Sequence, residues 1–268
     1  MPATERLAAR RNPDGGFGPV PGAISEPEPT ALAALALDDP DAAAWLEDAQ
    51  SDDGSVGVRA GTVFRDLTAV AALAMRDAGA QRSAIAWVLT HQARAEASTE
   101  ALPHDPTLRG WSWTSDTFGW AEPTAWAILA LRVTGQDGPE LDDGVAVLRD
   151  RECVDGGWNY GNRIVLEEEL PPFVQTTAIS LLSLRGLGNE PMVRRGVARL
   201  QALWPEEREG VLSLALATAA LRAYDDPAAA ESRRELDRTL ASAADVDTIA
   251  LGWAAIAEAD GLDRLVVP

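Results

Sequence analysis

The 268 residues contain a single cysteine, Cys153, and only two histidines, His91 and His104. One thiol rules out an intramolecular disulfide and makes a reducing cytosol the simplest home, so a cytoplasmic location is expected. The same scarcity speaks against a zinc centre, which needs several donors converging. It also speaks against a Cys/His or Ser/His nucleophile. Basic residues are short as well, 23 against 42 acidic, for a net charge of −19. That balance argues against nucleic acid and anionic membrane surfaces as partners. A solvated acidic exterior is the plain reading, and a salt-adapted host would give the same balance. No charged-then-apolar leader opens the chain, and no apolar run approaches the ~18 residues of a membrane span. Thr30 to Leu37 and Val211 to Leu221 are among the longest. No integral membrane segment is expected. Phe and Tyr are few, at 4 and 2, and the 46% hydrophobic content leans on Ala and Leu, a bias that favours closely packed helices.

What the chain does have is a recurring phrase. It reads Glu28-Pro29-Thr30-Ala31, Asp66-Leu67-Thr68-Ala69, Glu122-Pro123-Thr124-Ala125 and Gln175-Thr176-Thr177-Ala178, with a looser echo at Asp247-Thr248-Ile249-Ala250. Self-similarity at roughly 30 to 55 residues signals stacked supersecondary units. After each phrase the residues are apolar nearly all round, as in Ala31 to Leu37, Ala69 to Met75, Ala125 to Leu131 and Ala178 to Leu184. A helix that is apolar on every side must be buried on every side. Between them lie amphipathic segments with one charged face: Asp41 to Ala49, Ser83 to Arg94, Asp142 to Arg151, Pro191 to Leu203 and Ala228 to Leu240. These suit an outer layer.

Glu28-Pro29 and Glu122-Pro123 put an acceptor beside the cap position and proline at the first helical position, and Asp66 fits the same slot. Glycine-rich turns such as Asp14-Gly15-Gly16-Phe17, Asp53-Gly54-Ser55-Val56 and Asp155-Gly156-Gly157-Trp158 end the outer helices, with an aromatic to plug the gap between neighbours. The count is about six outer–inner pairs at about 45 residues each. Buried and half-exposed helices alternating in that number close into a double ring. The expected fold is all-α, an α/α toroid forming one domain over residues 1–268.

These residues carry a family resemblance. The chain resembles the terpenoid cyclase and protein prenyltransferase toroids, in particular proteins with squalene–hopene cyclase-type repeats, over about residues 7 to 259. That repeat places Gln, three residues, Gly, one residue and an aromatic at the outer-helix end. Gln50 to Val56 keeps Gln and Gly but has Val for the aromatic, while Arg11 to Phe17 and Glu152 to Trp158 keep Gly and the aromatic without Gln. Gly119 to Trp126, Asp155 to Asn162 and Pro171 to Ala178 look like stand-alone bacterial members. The resemblance implies an apolar isoprenoid-like small molecule in the interior and no cofactor. It also implies proton-initiated cyclisation at Asp245-Val246-Asp247-Thr248, with Asp247 as the acid and Asp245 as its neighbour. The family's motif has a third Asp that is missing here. The full-length cyclases close their cavity between two toroids, so a homodimer would complete the wall.

The residues themselves leave alternatives open. Protonating an alkene requires a carboxyl held neutral in a dry pocket, whereas a carboxylate that accepts helix N-terminal N–H groups is driven toward its ionised form. As a cap each rim residue is worth ~1 kcal/mol. As a site, Glu28, Asp66, Glu122, Gln175 and Asp247 ring one polar mouth. Asp38-Asp39-Pro40-Asp41 is the nearest approach to a metal-binding acidic cluster and reads as a Pro-broken turn, so no metal site is expected. The long connection from Arg94 to Trp120 reads as a lid or binding wall. Its Trp111, Trp113, Phe118 and Trp120, with Trp126 beyond, are candidate substrate-binding aromatics, or a loop anchored by its own rings. A non-catalytic binding or scaffold toroid with a filled centre is the competing reading, and another hydrolase or lyase on an α/α barrel is a third.

Overall fold

The computed structural model describes residues 1–97, 104–115, 117–187, 190–208, 210–258 and 260–265. In chain order its helices are α1 (Ala3–Ala8), α2 (Pro27–Leu37), α3 (Pro40–Asp48), α4 (Thr68–Ala74), α5 (Ala78–Thr90) and α6 (Ala121–Val133). Then come α7 (Pro139–Arg151), α8 (Val174–Ser183), α9 (Pro191–Leu203), α10 (Val211–Ala223), α11 (Ala229–Ser242) and α12 (Thr248–Glu258). The fold is all-α. Its β structure, among the described residues, is two antiparallel hairpins, β1 (Gly57–Ala60) with β2 (Val63–Asp66) and β3 (Ile164–Val165) with β4 (Glu168–Glu169). The Glu167-Glu168-Glu169 stretch lies in the second hairpin, with Leu166 and Glu167 in left-handed conformation at its tip.

The even-numbered helices are the Ala/Leu segments, and nearly every residue of α2, α6, α8 and α12 is buried. Each packs on the next, in the order α2, α4, α6, α8, α10, α12, and α12 returns to α2. The odd-numbered helices carry the polar faces. Each outer helix from α3 to α11 packs chiefly on the even helix that precedes it and much less on the one that follows. Connection length explains this. Only Asp38 and Asp39 join α2 to α3, and 75–77 join α4 to α5, and short links make antiparallel neighbours. The longer glycine-rich links lead onward to the next unit.

Helix α1 has no predecessor and packs on α12. Glu258 accepts from the N–H groups of Ala3 and Thr4 at 3.1 and 3.4 Å, and so takes up free donors at the start of α1. Arg6 donates to the Leu240 carbonyl at 2.9 Å. The first and last units are thereby joined.

The recurring Thr has a physical role. Its hydroxyl accepts the backbone N–H at the glycine-turn aromatic position and donates to that residue's carbonyl. Thr30 does this to Phe17, Thr124 to Trp111 and Thr177 to Trp158, with N···Oγ1 distances of 2.9, 3.0 and 3.0 Å; Thr68 accepts from Val56 N–H in the same way at 2.9 Å and donates to Asp66 Oδ1 at 2.6 Å. All four hydroxyls are buried, so each clamp satisfies backbone groups that water cannot reach. Trp111 and Trp158 are equivalent plugs. Their indole N–H groups donate to the Val88 and Leu148 carbonyls. Each ring also lies where a glycine of the next outer helix, Gly144 or Gly196, leaves room that a Cβ would invade at 2.9 and 2.8 Å.

The opposite ends of the even helices are tied by arginine, the only basic side chain besides histidine in this lysine-free chain. Arg76 donates to the Asp38 carbonyl, Arg132 to Ser183, Arg222 to Ala257 and Arg264 to Leu35. Cations there satisfy last-turn carbonyls and meet the negative end of the helix dipole. These links place the C-terminal ends of the even helices together.

Candidate functional site

The N-terminal ends of α2 and α6 bring Glu28 and Glu122 near one another, each at the second residue of its helix. Neither is a cap, contrary to the sequence reading. The cap positions are Glu26 and Trp120, and Pro29 and Pro123 sit third in their helices, where a missing N–H is still one of the unpaired four. Freed from capping, the two carboxyls face other groups. Glu28, 9% exposed, accepts from Arg65 Nη2 at 2.8 Å. Arg65 comes from β2, and its guanidinium lies over the Trp113 ring at 5.1 Å from the centroid.

Glu122 makes no hydrogen bond or ion pair among the described residues. Burial first, and then the nearby charge of Glu28, push its carboxyl up to about 7, with Arg65 acting the other way. Burial also raises Glu28, against the pull of Arg65. Glu122 opens into a cleft of about 330 Å³ lined by Trp113, Thr114, Trp120, Pro123 and Tyr160. Backbone hydrogen bonds hold its walls: Asp66 N–H to the Trp113 carbonyl at 2.8 Å, Trp120 N–H to Trp111 at 2.9 Å and Ala121 N–H to Tyr160 at 3.1 Å. The cleft is therefore fixed to three successive units.

Of the aromatics that the sequence singles out, Trp113 and Trp120 line this cleft. Phe118, 40% exposed, lies in an adjoining pocket across Trp120. Trp111 and Trp126 are core residues and not mouth residues. Trp111 is the third repeat's plug, hidden in the sequence because Arg109-Gly110-Trp111 lacks the Asp-Gly pair that marks the other turns. Residues 98–103 and 116 of that connection lie outside the described residues. Trp126, 2% exposed, packs against Trp253, 3% exposed, with centroids 5.7 Å apart, and its Nε1 has no hydrogen-bond partner among the described residues. The cavity that touches Trp126 is a slit of about 20 Å³, room for one water.

Asp66 is committed locally. Its Oδ1 accepts from Thr68 N at 2.9 Å and Oδ2 from the Trp87 indole at 2.9 Å. Gln175 is exposed at the start of α8, outside the cleft lining. Asp245 and Asp247 are both exposed, and Asp247 Oδ1 accepts from Ala250 N at 2.7 Å, the geometry of a helix cap and not of a dry acid. Asp39 likewise caps α3. Among the described residues no three His, Cys, Asp or Glu converge as a metal-binding group. No described helix is long and apolar enough to cross a membrane. Arg65 and Tyr160 are the site residues that sequence reasoning missed. Arg65 lies on a hairpin that interrupts the helical pattern, and Tyr160 in the turn after a repeat plug.

No protein-family model and no curated protein matches the sequence. The structure is similar to a crystal structure of a protein from Actinoplanes, at 16% identity over 98% of each chain with a TM-score of 0.60. A likeness at that identity extends to the fold alone.

Proposed function

We propose that this chain is a single α/α toroid that binds a small molecule at its mouth, and that the ligand pairs an apolar or aromatic body with a cationic group. The cyclic packing of α2 to α12 and the shared C-terminal pole support the toroid. The observation that carries the binding reading is Glu122, a carboxyl in the lining of an aromatic cleft with no hydrogen-bond or ion-pair partner among the described residues. Trp113, Trp120 and Tyr160 line the cleft with aromatic rings, Trp113 already carrying Arg65, and a desolvated cation gains about 2 kcal/mol from an aromatic face. An incoming charge also provides the counter-ion that Glu122 lacks.

An isoprenoid cyclase asks for a dry acid and an open axis. Here Asp247 is exposed, and the Trp126 and Trp253 rings occupy the axis. The filled axis equally suits a pure scaffold, which is the reading left if nothing binds. The test is calorimetric titration at pH 8 with benzyltrimethylammonium, the neutral benzyl alcohol and geranylgeranyl diphosphate. The quaternary ammonium is expected to bind at least about ten-fold tighter than the alcohol, with the difference lost in Glu122→Gln. Equal binding of the two, or preference for the diphosphate, overturns the proposal.

A further inference from the structure

Across Trp120 from the mouth cleft lies a second cavity of about 260 Å³, lined by His104, Phe118, Gly119, Trp120, Arg151, Gly161 and Asn162. Its lining differs in sign. In a chain of net charge −19, this cavity collects cationic and donor groups. Arg151, the last residue of α7, is 3% exposed, which is rare for arginine unless it is paired. Among the described residues its partner is Asp150, bonded through Nη1. A guanidinium carries five N–H donors in a fixed fork, so one bond to Asp150 leaves donor capacity in a residue that lines the cavity.

His104 supplies a second incomplete group. Its Nδ1 is buried and has no hydrogen-bond partner among the described residues. A buried ring nitrogen left unpaired is destabilising, a cost that a ligand making the missing bond relieves. Burial first, then the charge of Arg151, hold the imidazole below its ordinary value. Asp150 and Asp105 pull it up, and Arg163 pushes it down.

We propose that this pocket binds an anionic group, a carboxylate or a phosphate monoester carried on a single aromatic ring. The anion would sit between Arg151 and His104, with the ring between Phe118 and Trp120. The inference shares Trp120 with the cation reading for the mouth but uses neither Glu122 nor Arg65, so each can fail without the other.

Ligand-observed saturation-transfer NMR and calorimetry with benzoate, phenyl phosphate and benzyl alcohol test it on the full chain. One of the two anions is expected to bind at least about ten-fold tighter than the alcohol, and the better of them identifies the head group. Arg151→Gln is expected to reduce its affinity by about ten-fold or more, and His104→Ala by about three- to ten-fold. Binding should strengthen from pH 8 to pH 6, as the bound anion draws a proton onto His104 against Arg151 and Arg163. If circular dichroism shows that Arg151→Gln does not fold, His104→Ala and the pH series decide. Anions that bind no better than the alcohol, or that keep full affinity in His104→Ala with no pH dependence, overturn the inference. Saturating benzyltrimethylammonium that fails to displace benzoate separates this pocket from the mouth cleft.

Discussion

Trp126 on α6 and Trp253 on α12 touch with ring centroids 5.7 Å apart and planes at 41°. Their helices stand three places apart in the cyclic order of six, so the contact spans the middle of the molecule. Such a pair contributes about 0.5–1.5 kcal/mol beyond the area it buries. Trp126→Ala removes one ring where the surrounding Ala-rich helices have little bulk with which to refill the space. The expected cost is about 3–5 kcal/mol in urea unfolding, together with uptake of benzene or xenon by the new cavity. A loss below about 1 kcal/mol would mean that the contact between α6 and α12 is not packed around these rings.

The Thr clamps make a sharper chemical prediction. Thr124→Val keeps the volume but leaves the buried Trp111 N–H without its acceptor. The expected loss is about 1–3 kcal/mol, while Thr124→Ser, which keeps the hydroxyl, stays within about 1 kcal/mol. Thr177→Val should behave alike, since Trp158 is held the same way. Equal losses from Val and Ser at Thr124 would assign the effect to packing and not to the hydrogen bond.

Glu122 sets a pH dependence with a definite sign. Its carboxyl is raised from 4.5 to about 7 in the folded protein. Between those values the folded state holds a proton that the unfolded chain has released. Stability therefore falls as pH rises through this window, is flat below it and levels off above about 7. Glu28 is raised by burial too and adds to the same trend. Glu122→Gln should flatten thermal melts compared between pH 5 and pH 8, and should raise Tm at pH 8 by about 2–4 °C. A variant that melts lower than the parent at pH 8 would contradict a desolvated carboxyl.

Asp247 is expected to act through its acceptor oxygen. Asp247→Ala should cost about 0.5–2 kcal/mol, the range for losing a helix cap, whereas Asp247→Asn keeps an oxygen for Ala250 N–H and should lose little. Chemical denaturation of the two variants side by side distinguishes them. Equal losses would point to the charge, and through it to the neighbouring Arg10, which feels both Asp247 and Asp245.

Much of the helical framework was legible from residue order, because it rests on local chemistry. Segments apolar on all sides, such as Ala31 to Leu37, can exist only inside, and amphipathic ones, such as Pro191 to Leu203, only at a boundary with water. Helix α9 occupies the 191–203 range read for it. The rim was harder to read, since a carboxylate beside a helix start looks the same as a cap or as a site residue. Asp247 is a cap, whereas Glu28 and Glu122 are not, because their helices begin two residues before the prolines that the spacing places first, and the acid falls inside the first turn. The aromatic wall divided for a similar reason. Trp111 and Trp113 are two residues apart, yet one is a plug under a Thr clamp and the other lies against Arg65.

The sequence by itself determined which segments are helical, which of them are buried, and that a Thr recurs at each inner start. Those features follow from hydrophobic pattern and short-range spacing, which the chain carries locally. Tertiary structure alone decided that Trp126 meets Trp253, that β2 delivers Arg65 to Glu28, and that Glu122 shares a cleft with Trp113, Trp120 and Tyr160. Each of those pairings joins residues of different units, and their distance and burial are set by how six helical pairs pack together, a geometry that no stretch of the chain encodes locally.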